Sequence, residues 1–167
     1  MITIKPETPF SEVPYHGLKV FLAGSIEMGA AENWQDAITK DFEDYEDLIF
    51  LNPRRDSWDF SQEQSQQNPQ FNYQVNWELT MLESCDIIFL YFSPVTQSPI
   101  SLLELGLFAS SEPEKMIVCC PEGFWRKGNV DITCFRYGVK TYNTLEEAKG
   151  ALRTAINAQL NNYDLQK

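Results

Sequence analysis

Glu104 is the residue whose surroundings most strongly indicate chemistry. It lies in an otherwise apolar segment, residues 100–109, directly after a loop that follows an apolar run. A carboxylate is rare among so many apolar neighbours unless it is paired or functional. A glutamate on the solvent face of a helix would have polar neighbours three or four residues away, but Leu107 and Phe108 stand there. A poorly solvated carboxylate is suited to attack an anomeric carbon while a second group protonates the leaving group.

Two further carboxylates are candidates for that second group. Glu78 follows Trp77 at the start of a helix predicted over residues 75–84, or just inside it. An acidic residue in a first turn is also favourable through the helix dipole, so a purely structural role remains open for Glu78. Asp86 begins an apolar run and is expected to be structural as often as functional.

Polar groups after two other apolar runs could contact a ligand. Gly24 and Ser25 follow a predicted strand, where backbone N–H groups suit an anion or a sugar hydroxyl, although such turns are also common connectors. The segment Asn52-Pro-Arg54-Arg55-Asp56 holds a local basic pair. Arginine forks suit phosphate or carboxylate, and surface ion pairs with Asp56 and Asp59 are the alternative. The chain has neither a Gly-x-Gly-x-x-Gly fingerprint nor a Walker A pattern, so nothing directly supports dinucleotide or nucleoside triphosphate binding.

Composition narrows the class of partner. A net charge of −11 argues against a nucleic-acid polymer, since affinity for the phosphate backbone depends on clustered Lys and Arg. No apolar run is long enough for a membrane span, and the first fifteen residues do not form a signal peptide, so we expect no membrane partner and a cytoplasmic location. The cysteines make no Cys-x-x-Cys pair and are interpreted as buried, reduced thiols: Cys85, Cys119, Cys120 and Cys134.

The elements that would position these residues alternate between strand and helix. That order predicts an α/β protein with a parallel sheet and helices on both faces, forming one domain over residues 18–167 after an extended leader, 1–17. Residues 53–72 are expected to form a long polar loop. The predicted strands are 18–23, 47–51, 86–92, 115–120 and a short one near 137–141, and the predicted helices are 31–45, 75–84, 100–110 and 144–160.

The loops after the strands should meet at one place. In open parallel sheets, ligands bind at the carboxyl ends of the strands. The loops 24–27, 52–56, 93–98 and 123–129 would therefore converge on one crevice. They hold most of the unusual polar residues of the chain, and Glu104 follows the third of them.

Taken together, these segments resemble the nucleoside 2-deoxyribosyltransferase-like superfamily. The resemblance covers about residues 18–140, and its most specific part is the Glu-Leu-Gly element at Glu104. It implies a flavodoxin-like sheet. The segments that carry it are Phe21-Leu-Ala-Gly-Ser-Ile26, Asn52-Pro-Arg-Arg-Asp56, Trp77-Glu78, the strand from Asp86, Ser98-Pro-Ile-Ser-Leu-Leu-Glu-Leu-Gly106 and Gly123-Phe-Trp-Arg-Lys-Gly-Asn-Val130.

The resemblance also implies roles. Glu104 would attack C1′ of a 2′-deoxynucleoside to form a covalent deoxyribosyl-enzyme, and a free nucleobase, or water, would then take the sugar. Glu78 stands where the transferases place an aspartate that can assist protonation of the base. Asn129 matches an asparagine directed toward the sugar, often across a subunit boundary, so a homo-oligomer is implied, whereas no metal or organic cofactor is. The further candidates for substrate contact are Gly24, Ser25, Asn52, Arg54, Asp56, Trp77, Ser98 and Arg126.

Three departures from the family pattern keep alternatives open. Ser98 stands where transferases place an aspartate, and related deoxynucleoside 5′-monophosphate glycosidases place a phosphate-contacting serine there. Glu27 follows Gly-Ser-Ile where those glycosidases continue with basic residues, and the first-loop tyrosine of the transferases is missing. Despite these departures, the leading hypothesis is a nucleoside 2-deoxyribosyltransferase, because the remaining segments match the family pattern.

Two alternatives follow from those departures. The first is a nucleoside 5′-monophosphate N-glycosidase, a hydrolase, with the phosphate held by Ser98, by Arg54 or Arg55, and by Arg126. The second is a non-catalytic nucleotide-binding module on the same fold, since fold alone does not determine function. In that case the interface anchors would be the loop aromatics Trp58, Trp125 and Tyr73.

Overall fold

The apolar runs of the sequence form a parallel sheet whose central strands are covered on both faces. The computed structural model describes residues 1–26, 31–55 and 63–164. Within them six strands pair in the order β1-β3-β2-β4-β5-β6, and every pair is parallel. All residues of β3, β4 and β5 are buried, which explains why these strands read as unbroken apolar runs. The strands are β1 (Ile2–Ile4), β2 (Leu18–Gly24), β3 (Leu48–Leu51), β4 (Ile87–Tyr91), β5 (Met116–Cys119) and β6 (Lys140–Tyr142).

The helices divide between the two faces of this sheet. One hydrophobic core contains the buried apolar side chains of α2, α3 and α4, and the other contains those of α1 and α5. The helices are α1 (Trp34–Asp41), α2 (Pro69–Ser84), α3 (Pro99–Ala109), α4 (Lys127–Tyr137) and α5 (Leu145–Asp164). Short 3-10 turns lie at Phe10–Glu12 and Pro113–Lys115. The predicted α/β class, with helices on both faces of a parallel sheet, is confirmed.

Several element boundaries differ from the predicted ones. Ile2–Ile4, inside the predicted leader, pairs with β3 as an edge strand. α2 begins at Pro69, capped by the Asn68 side chain, so the polar loop before it is shorter than predicted. The segment Lys127–Tyr137, in which no helix was predicted, forms α4. Glu27, Asp56 and Trp58 lie outside the described residues.

The strand order creates a crevice beside β2. Without β1, the order 3-2-4-5-6 is the flavodoxin-like 2-1-3-4-5 arrangement, whose ligand crevice lies between the strands where the chain reverses direction across the sheet. Here those strands are β2 and β4, which pair up to Gly24 and Tyr91. Gly24 has a φ of 136°, and a Cβ on it would lie 2.2 Å from the Tyr91 carbonyl oxygen. Only glycine allows this close approach of the two strand ends.

Two general expectations can be compared with the described residues. None of the helices in the described ranges is both long enough and apolar enough to cross a membrane. The four cysteines are free and buried, as predicted, and burial raises the pKa of each thiol.

Candidate active site

Three buried hydroxyl groups meet at the carboxyl ends of β2 and β4. We call Ser25, Thr96 and Ser98 the hydroxyl cluster. The Ser25 and Ser98 oxygens are 2.6 Å apart, and the Thr96 oxygen lies 2.8 Å from each of them. The backbone N–H of Ser93 donates to the Ser25 oxygen at 2.8 Å, and Thr96 donates to the Ser93 carbonyl at 2.9 Å. Each hydroxyl is at most 5% exposed and has hydrogen-bond partners, so the cluster is held in one arrangement.

Local sequence explains how the hydroxyl cluster forms. Ser25 directly follows the close approach at Gly24, and its carbonyl accepts a hydrogen bond from the buried Trp34 indole at 2.9 Å. Ser98 precedes Pro99 at the start of α3 and adopts a left-handed conformation, with φ 47° and ψ 52°. Within the described ranges it is the one residue other than glycine with positive φ. Such strain persists where the surrounding structure imposes it, and it concentrates at functional sites.

Glu104 lies further along the same helix, on its buried face. It is 8% exposed, and Ser101, Leu105 and Phe108 on the same helix are also buried. No described residue donates a hydrogen bond to its carboxyl group. Burial, with the nearby charge of Glu78, raises the pKa of Glu104 to about 8. The unusual position predicted for this residue, a carboxylate among apolar neighbours, therefore corresponds to a buried group that has no hydrogen-bond partner among the described residues.

Glu78 on α2 lies close enough to Glu104 for its charge to raise the pKa of Glu104, and we call these two residues the carboxylate pair. Glu78 lies well inside Pro69–Ser84 and not in the first turn, so the helix-dipole explanation of its position is wrong. Burial raises its pKa, while a 2.6 Å hydrogen bond from the Gln74 amide and the charge of Arg55 lower it. Because the pKa of Glu104 is raised to about 8, this carboxyl retains a proton near neutral pH, and the two groups titrate as a coupled pair.

The two arginines of the loop after β3 point to different helices. Arg54 donates to the carbonyls of Ala31 and Glu32 at 3.2 and 3.1 Å, beside the start of α1. Its backbone N–H bonds the Asn52 side-chain oxygen at 3.0 Å, and Asn52 is fully buried with an unpartnered Nδ2 in the described part of the chain. Arg55 instead donates to Gln74 on α2. The predicted basic pair is therefore two separate sets of contacts, those of Arg54 beside α1 and that of Arg55 on α2.

Arg126 and Asn129 lie apart from these groups. Arg126 caps α4 and stacks over Trp125, with 4.2 Å between the guanidinium carbon and the ring centroid. Both residues line an open cavity of about 310 Å³ between α3 and α4, and Glu104 does not line it. Of the other candidates, Trp77 is fully buried against Phe21. Within this chain, the structure does not bring Arg126 and Asn129 to the carboxylate pair.

Asp86 is excluded as the second carboxylate. Its Oδ2 accepts the backbone N–H of Lys19 at 2.8 Å, at the start of β4. The amino end of a parallel strand is the opposite end from the crevice, so Asp86 has the structural role that the sequence left open. The described residues include no group of three or more His, Cys, Asp or Glu side chains that could hold a metal ion.

Two residues of the site were missed by the sequence analysis. Thr96 completes the hydroxyl cluster, and Gln74 connects Arg55 with Glu78. Thr96 stands in an ordinary-looking loop, and Gln74 lies between the predicted polar loop, 53–72, and the predicted helix, 75–84. The available signal was the spacing of Gln74 and Glu78, four residues apart, which places both side chains on one face of a helix.

The fold and these groups define an α/β protein with a candidate acid–base site at the switch point of a parallel sheet. The model of the family described as nucleoside 2-deoxyribosyltransferase like matches residues 17–124. The chain belongs to this family, as the resemblance indicated, and the family indicates an enzyme of the glycosyl-transfer or hydrolase type that uses nucleosides or nucleobases. A comparison with curated proteins gave no match.

Proposed function

We propose that this chain is a cytoplasmic nucleoside 2-deoxyribosyltransferase of nucleotide salvage. The observation that carries the proposal is the carboxylate pair in a chain of this family: a buried Glu104, to which none of the described residues donates a hydrogen bond, lies near Glu78. An unpartnered carboxylate is a stronger nucleophile than one that is hydrogen-bonded and solvated. The four buried free thiols agree with a reducing compartment.

The proposed reaction has two displacements at C1′. Glu104 as a carboxylate attacks C1′ of a 2′-deoxynucleoside, the bond from C1′ to the base nitrogen breaks, and Glu78 supplies a proton to the departing base. The acceptor base then attacks C1′, the ester to Glu104 breaks, and the proton released by the acceptor returns to Glu78. Two inversions give net retention, as for glycosidases that use a carboxylate nucleophile.

The proton on the carboxylate pair must change its place for this reaction. In the free protein Glu104 holds a proton near neutral pH, because its pKa is raised to about 8. A productive complex needs it on Glu78 and Glu104 ionised. A sugar that develops positive charge beside Glu104 stabilises the carboxylate form, so transition-state formation itself favours this proton transfer.

Base exchange tests the proposal directly. Glu104→Gln should lower the rate of exchange between a deoxynucleoside and a free base by at least about 10³-fold, because the nucleophile is lost. Glu83→Gln, an exposed carboxamide substitution on α2, is the matched control and should retain the rate. Chromatography of a panel of deoxynucleosides, ribonucleosides and 5′-monophosphates with a free base measures both. Full exchange by Glu104→Gln would contradict the assignment.

The hydroxyl cluster favours a second candidate, a nucleoside 5′-monophosphate N-glycosidase. Ser98 belongs to this cluster at the start of α3, and Glu104 follows it by about 9 Å along the helix axis at 1.5 Å per residue. A nucleoside with C1′ at Glu104 would direct its 5′ end toward these hydroxyls. Comparison of deoxyinosine with its 5′-monophosphate separates the two functions. A strong preference for the phosphorylated substrate, with water as acceptor, would replace the first proposal by the second.

A homo-oligomer is part of the proposal. Neighbouring helices α3 and α4 expose several large apolar side chains, and the cavity between them is lined by Asn129. Contact with a second copy would cover this face and allow Asn129 to reach the site of its neighbour. The exposed side chains are Ile100, Leu103, Leu107, Ile132 and Phe135.

Subunit complementation tests this arrangement. If Asn129 acts across the interface, mixing inactive Glu104→Gln with impaired Asn129→Ala should restore part of the activity, since some mixed sites carry both native residues. Phe135→Glu should reduce the assembled fraction in sedimentation experiments, whereas Tyr15→Glu, at an equally exposed aromatic elsewhere, should not. A monomeric, fully active wild-type protein would contradict the proposal.

A further inference from the structure

Gln74 uses all its polar atoms within the candidate site. It is 8% exposed, and its Oε1 accepts a hydrogen bond from Arg55 Nε. Its Nε2 donates to Glu78 Oε1 at 2.6 Å and to the Pro53 carbonyl at 3.2 Å. A buried amide with both ends engaged has one orientation, because rotation by 180° would place its oxygen against the Glu78 carboxylate. The side chain therefore joins the loop after β3 to the carboxylate pair.

We propose that Gln74 is a positioning residue that fixes Glu78 opposite Glu104 and couples it to Arg55. The inference rests on the proposed function, since it assigns Gln74 a task in that reaction. Gln74 engages only the Oε1 atom of Glu78, so Oε2 is left for the proton that the departing base receives. The amide does not contact substrate in this account. By bonding Oε1 of Glu78, the Gln74 amide leaves Oε2 as the oxygen that can exchange a proton.

Charged groups reach Glu78 from each neighbouring element. The charge of Glu78 acts on Glu104 of α3, and the charge of Arg55, which bonds Gln74 from the loop after β3, acts on Glu78. Arg55 also faces Glu7 of the N-terminal segment, with 3.6 Å between its Nη1 and the Glu7 Oε1. The Glu7 side chain is about half exposed, so its opposing charge is partly screened. Of the described groups that stabilise the ionised form of Glu78, the Gln74 amide is thus the one that bonds its carboxylate directly.

This arrangement predicts that Gln74 affects one limb of the pH profile. We assign the acid limb of kcat/KM mainly to Glu78, whose ionised form the Gln74 hydrogen bond and the Arg55 charge favour, and the alkaline limb to Glu104, whose pKa is raised to about 8. Loss of the Gln74 donor destabilises ionised Glu78, so the acid limb should move to higher pH. The alkaline limb, assigned to Glu104, should remain near 8, because the hydrogen bonds of Gln74 go to Arg55, Pro53 and Glu78 and not to Glu104.

Three variants measure the effect. Gln74→Met keeps the length of the side chain without its polar atoms and should move the acid limb upward by about one pH unit. Gln74→Glu replaces the donor by an acceptor and should move it further in the same direction. Asn76→Met, an exposed amide two residues along the same helix, is the control and should leave both limbs in place. If Gln74→Met does not fold, Arg55→Met removes the charge behind it and should move the same limb upward.

The outcomes distinguish this inference from the proposed function. Lower rates with both limbs unmoved in Gln74→Met and Gln74→Glu would mean that Gln74 is only structural, and would overturn the inference. A wild-type protein without exchange or hydrolysis would overturn the proposed function instead. In that case, ¹³C NMR titration of the glutamate carboxyls still tests whether Gln74 affects the pKa of Glu78. The signal of Glu78 is identified by its absence from the spectrum of Glu78→Gln. A titration of Glu78 that is the same in wild type and Gln74→Met would overturn the inference without reference to activity.

Discussion

The hydroxyl cluster and the carboxylate pair differ in how far the protein satisfies their polar atoms. Ser25, Thr96 and Ser98 bond one another and the surrounding backbone, whereas no described residue bonds the carboxyl group of Glu104. Both regions are buried, and both are reached by α3, which begins at the hydroxyl cluster and carries Glu104 on its buried face. The hydroxyl cluster is therefore held rigidly by its hydrogen bonds, whereas the carboxylate pair retains a buried carboxyl group whose ionised form is energetically unfavourable.

That difference explains how one helix serves two purposes. A satisfied polar network rigidifies its surroundings and can present a constant surface to a ligand. An unsatisfied carboxylate costs stability and is retained where its reactivity is needed. Substitutions should therefore have opposite signs in the two regions, with losses of stability at the hydroxyl cluster and a gain at Glu104.

The largest expected effect is at the strand ends that support the hydroxyl cluster. Gly24→Ala would place a Cβ 2.2 Å from the Tyr91 carbonyl oxygen at a φ of 136°, so β2 and β4 must separate there. We expect the free energy of unfolding to fall by about 3 kcal/mol or more. Gly150→Ala is the control, since its Cβ would meet nothing within 4 Å, and it should be neutral or stabilising in urea unfolding. Equal stability of the two variants would contradict the close approach.

Removal of one hydroxyl should have the next largest effect. Ser25→Ala leaves the buried N–H of Ser93 without its acceptor and removes one partner each from the hydroxyls of Thr96 and Ser98, which still bond each other. The expected loss of unfolding free energy is about 2–3 kcal/mol, the cost of one buried N–H left unbonded together with two lost hydrogen bonds. Ser111→Ala, which removes an exposed hydroxyl bonded to the Leu107 carbonyl, is the matched control and should cost little. A loss no larger than that of the control would mean that the hydroxyl cluster is not rigid.

The smallest of these effects has the opposite sign. The pKa of Glu104 is raised to about 8 in the folded protein from 4.5, so the folded state keeps a proton that the unfolded chain loses. Stability from this group is complete below about pH 4.5 and decreases as pH rises toward 8. Glu104→Gln should therefore raise the unfolding free energy at pH 7 by about 1–2 kcal/mol and flatten its decrease with pH. Thermal unfolding at several pH values, with Glu83→Gln as control, measures this. A destabilised Glu104→Gln would show that the carboxylate is not strained.

The elements that the sequence predicted are those whose pattern follows from burial. The runs of β2, β3, β4 and β5 are apolar because both faces of the sheet are covered, and each was predicted as a strand. Ile2–Ile4 and α4 were not predicted. Two of the three residues of the edge strand are exposed, and α4 exposes Ile132 and Phe135, so neither shows the one-sided apolar pattern on which a prediction depends.

The candidate site was predictable only in part, for a similar reason. Glu104 was recognised because its chemistry conflicts with its neighbours in sequence. Gln74 and Thr96 have no such conflict, and their importance arises from contacts with residues far along the chain. Conversely, Arg54 and Arg55 adjoin in sequence but contact different helices. The sequence thus predicted that both arginines lie in the loop after β3, but not that their side chains contact different helices.

Covalent trapping on Glu104 is the most direct measurement of the central claim. A nucleoside with fluorine at C2′ has a destabilised oxocarbenium-like transition state, so the second displacement is slowed and the glycosyl-enzyme accumulates. Mass spectrometry of the digested protein should then show the mass of the sugar on Glu104, and no adduct should form with Glu104→Gln. An adduct on another residue, or base release by Glu104→Gln at the wild-type rate, would contradict the assignment of Glu104 as the nucleophile.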